Sequence, residues 1–205
     1  MARYSAEHKA RSRAAIRTAA AKRFRTQGFA GTRIDDLCSD ADLTRGTFYA
    51  HFESKQALFN DVISGPYDLI ERLRSRTPNA LKKGATRTFR DYLNPRNRSA
   101  VLSGCSLASL SAEVARANDS AQGAYADAVA QLVDEIRRDQ PQVSREQALS
   151  TVAIAIGGLL VSGACGSSSI ANELEHAATA VVTTLLNTTT TAVEHPHSKE
   201  AMEND

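Results

Sequence analysis

The stretch Thr32–Lys55, TRIDDLCSDADLTRGTFYAHFESK, decides the architecture of this chain. Its apolar residues recur with the 3.6-residue period of a helix and are interrupted twice, which predicts two short helices, a tight turn between them, and the start of a third. Residues suited to N-caps mark the divisions. Thr32 precedes Arg33 to Ser39, with Asp35 as a weak capping box; Thr44 precedes Arg45 to Phe52; Ser54 opens the next helix. Leu43 and Phe48 have the N′ and N4 spacing of a hydrophobic staple, which fixes the angle at which the chain joins the middle helix.

On a helical wheel Phe52 falls about 40° from Phe48, so the two rings anchor the middle helix to a core. The opposite side carries Gly46 and Ala50, flanked by Arg45 and Tyr49 on one edge and Thr47 and His51 on the other. A bare centre with a rim of hydrogen-bonding groups fits a major groove about 12 Å wide. Glycine inside a short helix costs roughly 0.5–1 kcal/mol against alanine, so something other than helix stability favours Gly46. These features predict a DNA-binding helix-turn-helix.

The run GFAGTRIDDLCSDADLTRGTFYAHFESKQALFNDVI, Gly28 to Ile63, resembles the N-terminal domain of the TetR family of transcriptional regulators. The resemblance rests on Gly28-Phe29, Thr32, Ile34, Leu37, Thr44-Arg45-Gly46-Thr47-Phe48-Tyr49, His51-Phe52 and Ser54-Lys55, and with the preceding helix it spans residues 10 to 65. Asp42 stands where the family usually has glycine in the turn, and Asp tolerates the left-handed conformation better than most residues. Cys38 stands where the family commonly has alanine. The resemblance implies an all-α fold of about nine helices and three segments. They are a three-helix DNA-binding domain over residues 1–53, a helical ligand-binding and dimerisation domain over 54–187, and a disordered tail over 188–205.

Charge is distributed as such a reading requires. The 205 residues sum to +2, but residues 1–60 hold 11 Lys+Arg against 6 Asp+Glu, and residues 61–205 hold 14 against 17. A basic head on a mildly acidic body places a polyanion at the N-terminal end. MARYSAEHKARSR has no apolar h-region, and the apolar run Val152 to Gly166 is shorter than the ~20 residues that cross a bilayer. A cytoplasmic protein without a membrane partner is the expectation. Cys38, Cys105 and Cys165 are too few and too scattered for a disulfide framework or a zinc cluster.

The first helix is expected over residues 5–27 with Ile16, Ala19, Ala20 and Phe24 inward, ended by Gly28. Lys9, Arg11 and Arg13 precede that stripe as a basic arm. The fourth helix starts at Ser54 and is interrupted at Gly65-Pro66, where a proline forces a kink or break. In the family this helix links the two domains, so Gly65-Pro66 is the expected hinge. A fifth helix is read over 80–93, a surface loop over Asn94–Arg98, and a sixth helix over Gly104–Val114, apolar at 107, 110 and 114. The seventh, 119–139, is followed by Pro141. Ser144 and Gln147 form a capping box for the eighth, which carries Gly157-Gly158 midway. The ninth, 169–187, has an apolar stripe at Ile170, Leu174, Ala177, Val181 and Leu185. The resemblance implies that the last two helices pair with their copies in a homodimer.

No nucleotide loop, serine elbow or zinc-protease motif is present, so neither an enzyme nor a cofactor is expected, and His195-Pro196-His197 reads as incidental. The site follows from the resemblance. Thr32, Arg33, Thr44, Arg45, Gly46, Thr47, Tyr49, His51 and Lys55 would contact a double-stranded operator, with Arg45, Thr47 and His51 reading bases and Lys55, Tyr49 and Thr32 holding phosphates. Phe89, Tyr92, Leu107, Leu110 and Tyr125 lie on helices that would line an effector pocket. Cys105 at the start of the sixth helix is weighed as a reactive thiolate against a buried small hydrophobe. Set against a ligand-responsive repressor stand an α-helical protein-interaction module and a small-molecule-binding or enzymatic bundle.

Overall fold

The computed structural model describes residues 2–65, 67–74 and 84–188, all helix and turn. Helix α1, Ala2–Gly31, breaks at Gly28. Then come α2 (Ile34–Asp40), α3 (Arg45–Tyr49), α4 (Lys55–Ile63), α5 (Asp68–Arg74), α6 (Gly84–Tyr92), a 3-10 turn at Pro95–Asn97 and α7 (Arg98–Gly104). The chain continues through α8 (Ser106–Ser109), α9 (Ser111–Val114), α10 (Asp119–Asp139), α11 (Arg145–Ala164) and α12 (Ser169–Asn187).

The expected break after the fourth helix is present: α4 ends at Ile63, the chain turns at Gly65 with φ 91, and α5 follows; Pro66 itself lies outside the described residues, as do Leu81 and the tail from 189. Two differences from the sequence reading have physical causes. The loop after Asn94 gains order from its own chemistry, since Asn94 accepts from Arg96 N and Pro95 starts the 3-10 turn that leads into α7. The expected sixth helix is two single turns divided at Leu110. A straight helix would send Leu107, Leu110 and Val114 to one face, whereas the two turns deliver Leu107 to one core and Leu110 and Val114 to another.

Those two cores organise the molecule. The head core joins Ile16, Ala20 and Phe24 of α1, Leu37 of α2, Phe48 and Phe52 at α3, and Leu58, Phe59, Val62 and Ile63 of α4. It extends into the body through Leu110, Val114 and Ala121. The body core gathers α5, α6 and α10 around α11 and α12, with Phe89, Leu107, Leu132, Ile136, Leu159 and Leu186 fully buried. The α11–α12 pair packs closely at Gly158, where a Cβ would lie 2.9 Å from Ala178 Cβ. Ser144 and Gln147 form the reciprocal capping box that starts α11.

Both long helices are apolar on two sides. The inward face of α12 is Ala171, Glu175, Ala178, Val182 and Leu186, while the stripe read from sequence turns outward, with Ile170 50% and Val181 46% exposed. On α11, Leu149 and Val161 are likewise 42% and 52% exposed. This second face makes the 20-residue helix Arg145–Ala164 long and apolar enough to cross a membrane by length and composition, contrary to the sequence estimate from its apolar run alone.

Candidate nucleic-acid interface

Local chemistry builds α3. Asp42 takes the left-handed turn at φ 53, and Leu43 N then donates to Cys38 O at 2.9 Å. Thr44 Oγ1 accepts from Thr47 N at 3.2 Å and starts α3, while Phe48, with no exposed surface, fixes it to the head core. Regular helix stops at Tyr49 rather than Phe52, although Phe52 N still donates to Phe48 O. Outward lie Arg45, Gly46, Tyr49 and Ala50, all exposed. A Cβ on Gly46 would meet only Thr44 Oγ1, at 3.7 Å, so no contact within the chain requires glycine there. An open groove of about 620 Å³ runs along this face, between His8, Lys9 and Ser12 of α1 and Thr44, Gly46, Thr47, Ala50 and His51.

Around this face the side chains are already engaged. Arg45 pairs with Asp35 across the turn, Nη1 to Oδ1 3.1 Å, and remains 58% exposed; hydrogen bonding with Tyr49 and the Asp35 charge raise its pKa. His51 Nε2 lies 3.1 Å from Ser12 Oγ, and burial together with the Lys9 and Arg13 charges lowers its pKa. Arg11 pairs with Glu7 in solvent, whereas Arg13 is bound to Asp61 and lies over the Phe52 ring at 5.1 Å. Of the basic arm, Lys9 lines the groove and Arg13 is structural.

Two site residues differ from their expected roles. Thr32 is not an N-cap: α2 starts after Arg33, which makes no side-chain cap bond, and Thr32 is buried with Oγ1 donating to Gly28 O at 2.8 Å. The break at Gly28 leaves carbonyls that Thr32 closes, so its hydroxyl is spent inside the chain. Arg33 is exposed beside it. Lys55 is half-buried. Its Nζ donates to Phe29 O at 2.7 Å and Thr32 O at 2.9 Å and sits 4.3 Å over the Phe29 ring. Sequence reasoning missed His8 and Ser12, which carry no motif and enter the groove only because α1 crosses behind α3.

Four of the five effector candidates are packed core, and Tyr125 is partly buried against it. Phe89, Leu107 and Leu110 have no exposed surface and Tyr92 3%; Leu110 belongs to the head core, apart from the others. Tyr125 touches both cores and donates to Leu107 O at 2.6 Å. Cys105 accepts from the Tyr92 hydroxyl at 3.3 Å, and burial pushes its thiol up, which favours the buried hydrophobe over the reactive thiolate.

A three-helix head with an exposed second helix after a tight turn, carried on a helical body, defines a helix-turn-helix protein. Residues 16–62 match the family described as bacterial regulatory proteins, tetR family. Among curated proteins, the chain is 26% identical over 96 residues to the HTH-type transcriptional repressor DhaR of Mycobacterium sp. (strain GP1), covering 47% of this chain and 48% of that one. It is 31% identical over 77 residues to the uncharacterized HTH-type transcriptional regulator YdgC of Bacillus subtilis (strain 168), covering 38% of each. The chain thus spans less than half the length of these curated relatives. Among solved structures, reduced E. coli NemR aligns with TM-score 0.68 at 22% identity over 88% of this chain and 99% of that chain. A TetR-family transcriptional regulator from Cytophaga hutchinsonii aligns at 0.67 and 20%, over 87% and 96%. Residues 16–62 thus carry the N-terminal domain of the tetR family of bacterial regulatory proteins, and the chain as a whole shares the fold of the solved regulators.

Proposed function

We propose that this regulator is a cytoplasmic homodimeric repressor that binds a palindromic operator and is released by a small-molecule effector. The observation that carries the reading is the outer face of α3, exposed, bare at Gly46 and continuous with a groove edged by α1. Arg45, Thr47 and His51 would read base edges, Arg45 being suited to guanine. Arg33, Tyr49 and Lys9 would hold phosphates, and Lys55 retains one of its three ammonium hydrogens for the same purpose. The outward apolar faces of α11 and α12 would meet their copies across a two-fold axis rather than lipid. An effector within the body, near Phe89, Tyr92, Leu107 and Tyr125, would open that packing and move α4 across the break at Gly65, changing the separation of the two heads.

Selection of bound sequences from random duplex DNA tests binding, symmetry and half-site spacing together. Enrichment of a two-fold symmetric site is the expected result, and recovery of unselected sequence would sink the reading. On that site, Arg45→Ala should relax preference at one base position by about 1–3 kcal/mol. Lys55→Ala should weaken specific and random duplexes alike, read by titration at fixed salt.

A further inference from the structure

Head and body share a polar clamp that centres on one peptide. The N–H of Phe29, just after the break in α1, faces the carboxylate of Glu113 on α9, with both oxygens 2.9 Å from the nitrogen. The carbonyl of the same residue accepts from Lys55 at the start of α4, 2.7 Å away. Its ring packs edge-on against Phe59 at 5.0 Å and lies near Phe24 at 5.8 Å. A body anion and a head cation thus grip opposite ends of one head residue. The junction is shaped for this: Gly28 holds φ 77, and a Cβ there would stand 2.4 Å from Glu113 Oε1. Only glycine permits that approach without displacing the carboxylate.

The clamp stands at an open edge. A hollow of about 260 Å³, lined by Phe29, Gln56, Phe59, Glu113 and Arg116 among others, adjoins it. Withdrawing the carboxylate therefore breaks hydrogen bonds without opening a hole in either core. Two further contacts cross the same junction, Asn60 to Ser120 Oγ and the Arg25 guanidinium to Ser106 Oγ, and in both the acceptor is a neutral hydroxyl.

We propose that Glu113 is a positioning residue for DNA reading: by holding the Phe29 peptide it keeps Lys55 and the start of α4 in register with α3. This rests on the DNA-binding role proposed above. Glu113 touches no DNA in this arrangement; it acts through Phe29 and Lys55. A displacement of α9 by the length of a hydrogen bond releases the clamp and, with it, one end of the head.

The test uses the full chain and the duplex enriched by the unaltered protein. At a temperature where circular dichroism shows every variant folded, Glu113→Ala should weaken specific binding about tenfold, the scale of a hydrogen bond to a charged group. Glu113→Gln, whose amide oxygen still accepts, should recover part of that loss. The double variant Glu113→Ala with Lys55→Ala should lose less than the product of the two single effects, because both act on one peptide. Equal affinity for Glu113→Ala and the unaltered chain, or strictly multiplicative losses, would overturn the proposal. Amide exchange reads the clamp without DNA: Glu113→Ala should raise exchange at Phe29 at least tenfold while Phe48 and Phe52 keep their protection. Unchanged exchange at Phe29 would sink the clamp even if no duplex were ever enriched, so its failure is distinct from failure of the DNA reading.

Discussion

Replacing Arg98 with alanine should destabilise the chain clearly more than loss of a surface ion pair does, because it leaves the Glu175 carboxylate without its cation. Glu175 lies on the inward face of α12 with no exposed surface. Arg98 grips it through Nε and Nη2, and also donates to Asn172 Oδ1 at 2.8 Å and to Gly166 O, tying α7 to both ends of the α11–α12 corner. Ser162 Oγ adds a donor at 2.9 Å. Burial alone would raise the Glu175 pKa, but the hydrogen bonds from Arg98 and Ser162, with the charges of Arg98 and His176, hold it below the ordinary carboxylate value. A depressed folded pKa contributes stability above the unfolded value and loses it as pH falls through the folded one. The deficit of Arg98→Ala, measured by urea unfolding, should therefore be full at pH 7 and shrink in acid. A loss under about 1 kcal/mol at pH 7, the range of a surface pair, would show that water reaches the site. Arg98→Met combined with Glu175→Met should restore much of the stability, since removing both charges removes the unpaired one.

Placing a charge at the centre of the outward apolar face should have the largest effect on function. Val181 is 46% exposed on α12 and Val161 52% exposed on α11, although neither carries a polar group that favours solvent. If these faces join two copies, Val181→Arg sets two like charges against each other across the axis and desolvates both. Sedimentation should then report a monomer. Specific duplex affinity should fall about 10²–10⁴-fold, because a second head tethered beside the first contributes that much through effective concentration. Because Val181 points away from the chain's own core, the monomer should keep its helical content and melt as a folded protein. A Val181→Arg chain that sediments as the unaltered one does would place the contact surface elsewhere.

What could be read in advance follows from where the signal lies along the chain. The bounds of helices with a clear period were legible: α10 and α12 were placed at 119–139 and 169–187, and Ser144–Gln147 marks the start of α11 as expected. Thr44 and Ser54 cap α3 and α4. Errors arose where a residue answers to something distant. Thr32 has the chemistry of a cap, but the broken end of α1 takes its hydroxyl first. Lys55 was read as a phosphate contact, and nothing in its own helix announces the two carbonyls it also serves. Glu175 interrupts the inward face of α12 with a carboxylate, so only the outward stripe was visible to a hydrophobic period, and its partner lies 77 positions away. Leu110 hides the division between α8 and α9 because its spacing fits one helix while its destination is the other core.

The core shared by α1–α4 with Leu110, Val114 and Ala121 bears on how such regulators are rewired in the laboratory. A chimera cut after Ile63 would strip three body side chains from the head's interior and leave a greasy scar on the transplanted piece. A recipient chain would have to supply matching residues at those seats, along with an acid where Glu113 stands, before the grafted reader could sit at its original angle. If the outward residues of α3 set the DNA preference as proposed, exchanging those few would leave this shared core whole, whereas exchanging the N-terminal third would not.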